Sequence, residues 1–203
     1  MQRVIFDFDI ISPYAYLAFE RLPSALEGVS YHVEHRPLLF AGLLKHWGNT
    51  APVDVVPKKA WLFRQCAWIA AHDGVVFRPP VPHPFNPLAL LRLLVASAPA
   101  DVLPNRRVVE LVFRHVWARD GGDPLDAAAL KALTEAIAPV RDPASPEVKA
   151  ELQARTARAA DAGVFGVPSF RLDDGQMFWG TDSMDMLADA MRTNAAVAAS
   201  SCA

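Results

Sequence analysis

Strand-forming sequence in this chain of 203 residues is confined to its two ends. Within Arg3–Ile10, Phe6, Phe8 and Ile10 alternate with Asp7 and Asp9. That is the period-two pattern of a strand. Val29, Tyr31 and Val33 alternate with Ser30, His32 and Glu34 across Val29–Arg36. Between them Tyr14, Leu17, Ala18 and Leu22 stand at helical spacing, and that helix is expected to end before Pro23 or near Gly28. Strand signal returns only at Val167–Leu172, followed by the turn Asp173-Asp174-Gly175 and the return strand Gln176–Trp179. Met184–Arg192 reads as a closing amphipathic helix, and the Ala/Ser-rich end from Ala195 is expected to fray.

The middle, from Ala41 to about Gly163, reads as a helical block. Its apolar segments are Leu43–Trp47, Pro57–His72, Pro87–Ala98, Pro104–Arg119, Leu125–Ala138 and Pro146–Ala162. The 17 prolines outnumber the 10 glycines, which favours sharply ended helices over flexible linkers. The order along the chain is therefore β-α-β, helical block, β-β-α.

Composition excludes several classes. At 52% apolar residues the chain can bury a real core, so disorder is ruled out. Lys and Arg total 20 against 22 Asp and Glu, so no basic surplus exists for nucleic acid. No uncharged apolar run approaches a membrane span, and no membrane association is expected. The opening MQRVIFDFDI carries two acids and no small-residue cleavage site, which does not fit a signal peptide. Cys66 and Cys202 form neither a CxxC nor a metal-ligand spacing, which fits a reducing, cytoplasmic setting. The histidines show no HxxxH or HExxH pattern, so no metal is expected. Trp47, Trp61, Trp68 and Trp117 fall in helical segments and are assigned to the core, as is Cys66.

Two motifs carry chemistry. Ser12-Pro13-Tyr14-Ala15 joins a strand to a helix. Ser is a favoured N-cap and Pro a favoured first residue, so the motif can be helix punctuation alone. The same place also stabilises an anion such as a bound thiolate, by unpaired N–H groups and the positive end of the helix dipole. Overlapping it, Val4–Asp9 resembles the strand-DxD opening of haloacid-dehalogenase-type phosphotransferases. The residues after Asp9 depart from that pattern, and Asp7 and Asp9 are read as strand carboxylates. The second motif is Gly163-Val164-Phe165-Gly166-Val167-Pro168-Ser169-Phe170, followed by Trp179-Gly180-Thr181-Asp182. A Pro entering a strand is an edge position, and a cis Pro168 would expose the Val167 backbone for pairing with a peptide-like ligand. Thr181 or Asp182 can serve as an N-cap, and Asp182 can also bind an ammonium group.

Taken together, Phe8, Ser12-Pro13-Tyr14, Tyr16-Leu17-Ala18, the Gly163–Phe170 stretch and Trp179–Asp182 resemble the kappa-class glutathione transferase family, over nearly the whole chain. The resemblance implies an α/β fold, thioredoxin-like (β-α-β … β-β-α) with a large all-helical insertion. Residues 1–40 and 163–203 would form the discontinuous thioredoxin-like domain, and residues 41–162 the helical insertion subdomain. Ser12-Pro13-Tyr14-Ala15 would occupy the place of a redox CxxC, so dithiol chemistry is not available and glutathione is the implied cofactor. Ser12 would hold and activate its thiolate, Val167 before Pro168 would pair with its backbone, and Trp179, Gly180, Thr181 and Asp182 would line its γ-glutamyl end. The resemblance further implies an isomerase acting on 2-hydroxychromene-2-carboxylate or an analogue, giving trans-o-hydroxybenzylidenepyruvate in aromatic compound degradation. Lys45, Asn49, Asp54, Lys58 and His83 would face this small aromatic carboxylate, and the family is commonly a homodimer. Two alternatives share the fold: a transferase with another electrophile, and a glutathione- or peptide-binding module without turnover.

Overall fold

The structure, a computed structural model, describes the backbone of residues 1–200 and the side chains of residues 1–195. Four strands, β1 (Gln2–Phe8), β2 (Tyr31–Pro37), β3 (Ser169–Leu172) and β4 (Met177–Trp179), form one sheet in the order β2-β1-β3-β4. β1 runs parallel to β2, with Val4 opposite Val33, and antiparallel to β3, with Phe6 opposite Phe170. β4 returns antiparallel to β3 with Phe170 opposite Phe178. The parallel β1–β2 pair needs a crossover, which α1 (Pro13–Ala25) supplies. This is the thioredoxin-like arrangement that the resemblance implies, and the element order read from the sequence agrees with it.

Six helices connect β2 to β3: α2 (Phe40–Trp47), α3 (Val56–Asp73), α4 (Leu88–Ala96), α5 (Arg106–Trp117), α6 (Ala127–Ile137) and α7 (Pro146–Asp161). α8 (Met184–Ser200) closes the fold. It runs through the Ala/Ser-rich stretch in which fraying was expected from Ala195. Cys202 and its neighbours lie outside the described residues. Among those described, no helix is long and apolar enough to cross a membrane.

The inserted helices share a core with the sheet. Phe6 stacks on Phe8 at 5.0 Å and on Phe170 at 5.1 Å between ring centroids, and Phe8 meets Phe113 of α5 at 5.2 Å. Trp117 is fully buried and donates its indole N–H to the Ile10 carbonyl at 2.8 Å. Burying each such side chain is worth roughly 1.5–3 kcal/mol, so α5 is a main support of the sheet.

Two local expectations are corrected. Of the two ends expected for α1, the one before Pro23 fails and the one near Gly28 holds: the exposed Pro23 sits inside the last turn, where a proline removes only one terminal hydrogen bond, and the helix runs to Ala25 with Leu26 as its cap. Among the four helical tryptophans only Trp117 is core. Trp47, Trp61 and Trp68 are 47%, 59% and 67% exposed, because helices of an insertion this thin present one face to solvent.

Candidate active site

One cavity of about 490 Å³ lies where the start of α1 and the face of α3 meet the β3–β4 end of the sheet. Val167, Pro168, Trp179, Gly180, Thr181 and Asp182 all line it. The chain turns into β3 through a cis Val167–Pro168 bond. The strand ladder begins only at Ser169, so the backbone of Val167 stays outside it. The Pro168 carbonyl is taken by the Gly180 N–H at 2.9 Å, which binds the two motif segments together. Gly180 has φ +89°, a left-handed conformation that a side chain would strain, and a Cβ there would collide with the Asp182 carboxylate. A Cβ on Gly166 would likewise collide with the Trp179 indole. Both glycines are therefore needed for the side chains of this wall to lie where they do. Asp182 sits in a 3₁₀ turn (Thr181–Ser183) and its side chain makes no capping bond.

The opposite wall comes from α1 and α3. Tyr14 donates its hydroxyl to Gln65 Oε1 at 2.7 Å, and Gln65, Trp68, Ile69, His72 and Asp73 follow one another along one face of α3. Burial, with the nearby Asp182 carboxylate adding to it, holds the Tyr14 hydroxyl up at about 12. Tyr14 therefore faces the cavity as a neutral donor. Burial also pushes the Cys66 thiol up to about 12, so this buried cysteine is no thiolate.

Ser12 is the N-cap of α1, and its Oγ accepts the Ala15 N–H at 3.2 Å. Its carbonyl accepts the Tyr16 N–H at 3.2 Å. Pro13 has no N–H, so Tyr14 N–H is the first-turn donor left over. Ser12 is buried at the edge of the cavity and is not part of its wall. The capping role is real, and the hydroxyl proton remains available because capping uses only the oxygen.

The carboxylates ahead of Ser12 are structural. Asp7 is buried and accepts from Arg171 Nε at 2.7 Å across the β1–β3 pair. Asp9 is fully buried, with one oxygen accepting Ile11 N–H at 3.0 Å and the other Phe40 N–H at 2.8 Å. It ties the loop before Ser12 to the start of α2. Burial pushes its carboxyl up to about 7, against these backbone hydrogen bonds. Neither acid is free to act as a phosphotransferase nucleophile. Among the described residues no group of three or more His, Cys, Asp or Glu converges as metal ligands.

The five residues expected on the substrate side do not line the cavity. Lys45 lies in the last turn of α2, Asn49 in the loop after it and Asp54 in the 3₁₀ turn Pro52–Asp54. Lys58 lies at the start of α3. His83 reaches closest, with Nε2 at 3.0 Å from the Ile11 carbonyl, one residue before Ser12. Its ring packs against Phe63 and Trp117, and burial lowers its pKa. The lysine that meets this loop is Lys59, which donates to the His83 carbonyl at 2.6 Å.

The residues that sequence reasoning missed are those of the α3 wall, together with Tyr14 and Arg21. Gln65, Ile69 and Asp73 stand at i, i+4 and i+8, with Trp68 and His72 beside them. That spacing is a readable helical face, but the tryptophans on α3 invite assignment to the core.

A profile of the DsbA-like thioredoxin domain matches residues 3–192. A 2-hydroxychromene-2-carboxylate isomerase of Sphingobium xenophagum is 30% identical over 196 residues, covering 92% of this chain and 96% of that protein. Glutathione S-transferase kappa 2 of Caenorhabditis elegans is 29% identical, covering 92% of this chain and 90% of that protein. The structure of a 2-hydroxychromene-2-carboxylate isomerase superposes with a TM-score of 0.81 at 25% identity, over 96% of this chain and 98% of the other. With its sheet order, its inserted helices and these relatives in agreement, the chain belongs to the DsbA-like thioredoxin family, in the branch that holds the kappa-class glutathione transferases and the 2-hydroxychromene-2-carboxylate isomerases.

Proposed function

We propose that the protein is a glutathione-dependent isomerase of 2-hydroxychromene-2-carboxylate, or of an analogous small aromatic carboxylate, working in aromatic compound degradation. The observation that carries this reading is the convergence of Val167, Pro168 and Trp179–Asp182 on one cavity beside the N-terminus of α1, whose opening residues Ser12–Ala15 include no cysteine. The cavity volume falls within the roughly 300–1,000 Å³ of small-molecule sites. When bound, glutathione supplies a thiolate nucleophile that adds reversibly to the conjugated acid and so allows its ring to open and the former double bond to rotate. Val167 pairs through its free backbone groups with the tripeptide backbone, as an added strand would. Asp182 receives the γ-glutamyl ammonium, and the Gly180 turn keeps that carboxylate at the cavity. Ser12 donates its hydroxyl proton to the sulfur, and the α1 N-terminus with Tyr14 N–H favours its charge. On the same reading the enzyme is a cytoplasmic homodimer, for which the exposed Val56 and Trp61 of α3 supply apolar area.

The test is an ultraviolet difference titration of bound glutathione with wild type and Ser12→Ala, paired with the chromene acid assay. Thiolate absorbance near neutral pH in wild type, lost in Ser12→Ala with turnover down on the order of 10²-fold, is the expected result. A thiolate signal indifferent to Ser12 would return that residue to capping alone. The kappa-class relative favours a second reading, transfer of glutathione to another electrophile. A stable conjugate formed with model electrophiles, and no isomerisation, would establish it.

A further inference from the structure

A second cavity, of about 380 Å³, lies among α2, α4 and α7 and takes no part in the site above. Its lining holds the basic side chains Arg92 from α4 and Lys149 from α7, with the His46 imidazole from α2 and no carboxylate among the lining residues. Nearby arginines show the contrast. Arg141 and Arg155 share Glu151 at 2.7 and 2.5 Å, whereas no ion pair holds Arg92 or Lys149 among the described residues. Arg92 Nε is shielded from solvent and has no hydrogen-bond acceptor among the described residues; one Nη of Arg155 is likewise without an acceptor, but that guanidinium keeps its carboxylate partner Glu151.

A buried donor on a charged group is costly when left without an acceptor, and its neighbours here repel rather than neutralise it. The other polar groups of the lining do not repair it: the exposed Gln153 amide makes no hydrogen bond to Arg92 among the described residues. The Thr156 hydroxyl already donates to the Leu152 carbonyl at 2.9 Å and accepts the Leu39 N–H at 3.0 Å. What is missing is therefore an anion. The rest of the lining says what kind, because Leu39, Leu88 and Leu152 give the cavity apolar surface that an inorganic ion would leave uncovered.

We infer that this cavity binds a small carboxylate with an apolar body, its charge held by Arg92 and Lys149 and its body laid against the leucines. The site belongs to the helical block and is independent of the glutathione reading. It would let the enzyme hold a second organic acid away from the reacting one.

The test is titration of the full chain with 2-naphthoate, followed by calorimetry and by the side-chain Nε–H signal of Arg92 in nitrogen-15 NMR. The expected result is one-site binding that moves the Arg92 signal and weakens at least tenfold in both Arg92→Met and Lys149→Gln. Lys149 is half-buried on a helix, so Lys149→Gln decides alone if Arg92→Met does not fold. Unchanged affinity in Lys149→Gln overturns the inference. So does a shift confined to Tyr14 and Trp179, and so does formate binding as tightly as 2-naphthoate.

Discussion

The two walls of the candidate active site are built by different means. The β3–β4 wall is made of two short stretches of sequence whose backbone does the shaping: the cis Val167–Pro168 bond, the left-handed Gly180 and the hydrogen bond from Gly180 N–H to Pro168 O. The α3 wall is a helical face, in which ordinary backbone presents Gln65, Trp68 and His72 by period alone. The difference teaches where specificity for a peptide-like cofactor can reside. The first wall offers main-chain groups and the Asp182 carboxylate, which makes no hydrogen bond among the described residues. The second wall supplies aromatic surface that accommodates varied partners.

The comparison can be broken at Asp182. Asp182→Asn keeps the shape and removes the charge, and glutathione should bind about 10–100-fold more weakly, the usual loss for a charge-assisted hydrogen bond. Calorimetric affinities read this directly, and an unchanged affinity would mean that the first wall recognises shape only.

The α3 wall should respond less. Trp68 is 67% exposed, so Trp68→Ala should leave urea stability within about 0.5 kcal/mol. Glutathione affinity should fall only a few-fold, while KM for the aromatic acid rises. A loss of glutathione binding as large as that in Asp182→Asn would erase the distinction between the walls.

The smallest net effect concerns what holds the loop before Ser12 to the start of α2. Asp9 has a folded pKa of about 7, above its ordinary 3.8, so its contribution to stability is lost as pH rises through that interval. Burial raises Asp7 too, in the same sense. His35, between Phe6 and Phe19, is pushed down to about 4 by burial and by Arg106, so its contribution is lost as pH falls from the ordinary histidine range. Burial lowers His83 and His115 likewise. The two sets oppose each other, and wild-type stability should vary little between pH 4.5 and 6.5. His35→Phe should unmask a decline with rising pH, measured by urea unfolding at the two ends. A flat profile in the variant would mean that Asp9 does not titrate in this interval.

Much of this was legible in the chain itself. Alternation marked Phe6 and Phe8 as strand, and Asp-Asp-Gly marked the β3–β4 turn, because each signal depends only on neighbouring residues. The motif Trp179–Asp182 was marked by resemblance, and its glycine and its acid stand two residues apart in one short stretch. Ser12 was legible as a cap because capping, too, depends only on neighbouring residues. Trp68 was not, because a helical aromatic carries no mark of which face the rest of the protein will cover. Lys45, Asn49, Asp54, Lys58 and His83 were placed near the substrate by resemblance, and the structure sets them apart from the cavity wall.

Local order therefore settled the elements, their sequence and the residue types at the start of α1 and the entry to β3. Those follow from periodicity, turn chemistry and capping, all of which act over a few residues. Tertiary packing alone decided that Asp9 would be sealed under α2, that α3 would close the cavity and that Arg92 would lose its water beside Lys149. Burial is a property of what arrives from elsewhere in the chain: it raises the Asp9 carboxyl and decides which partners each of these groups can reach.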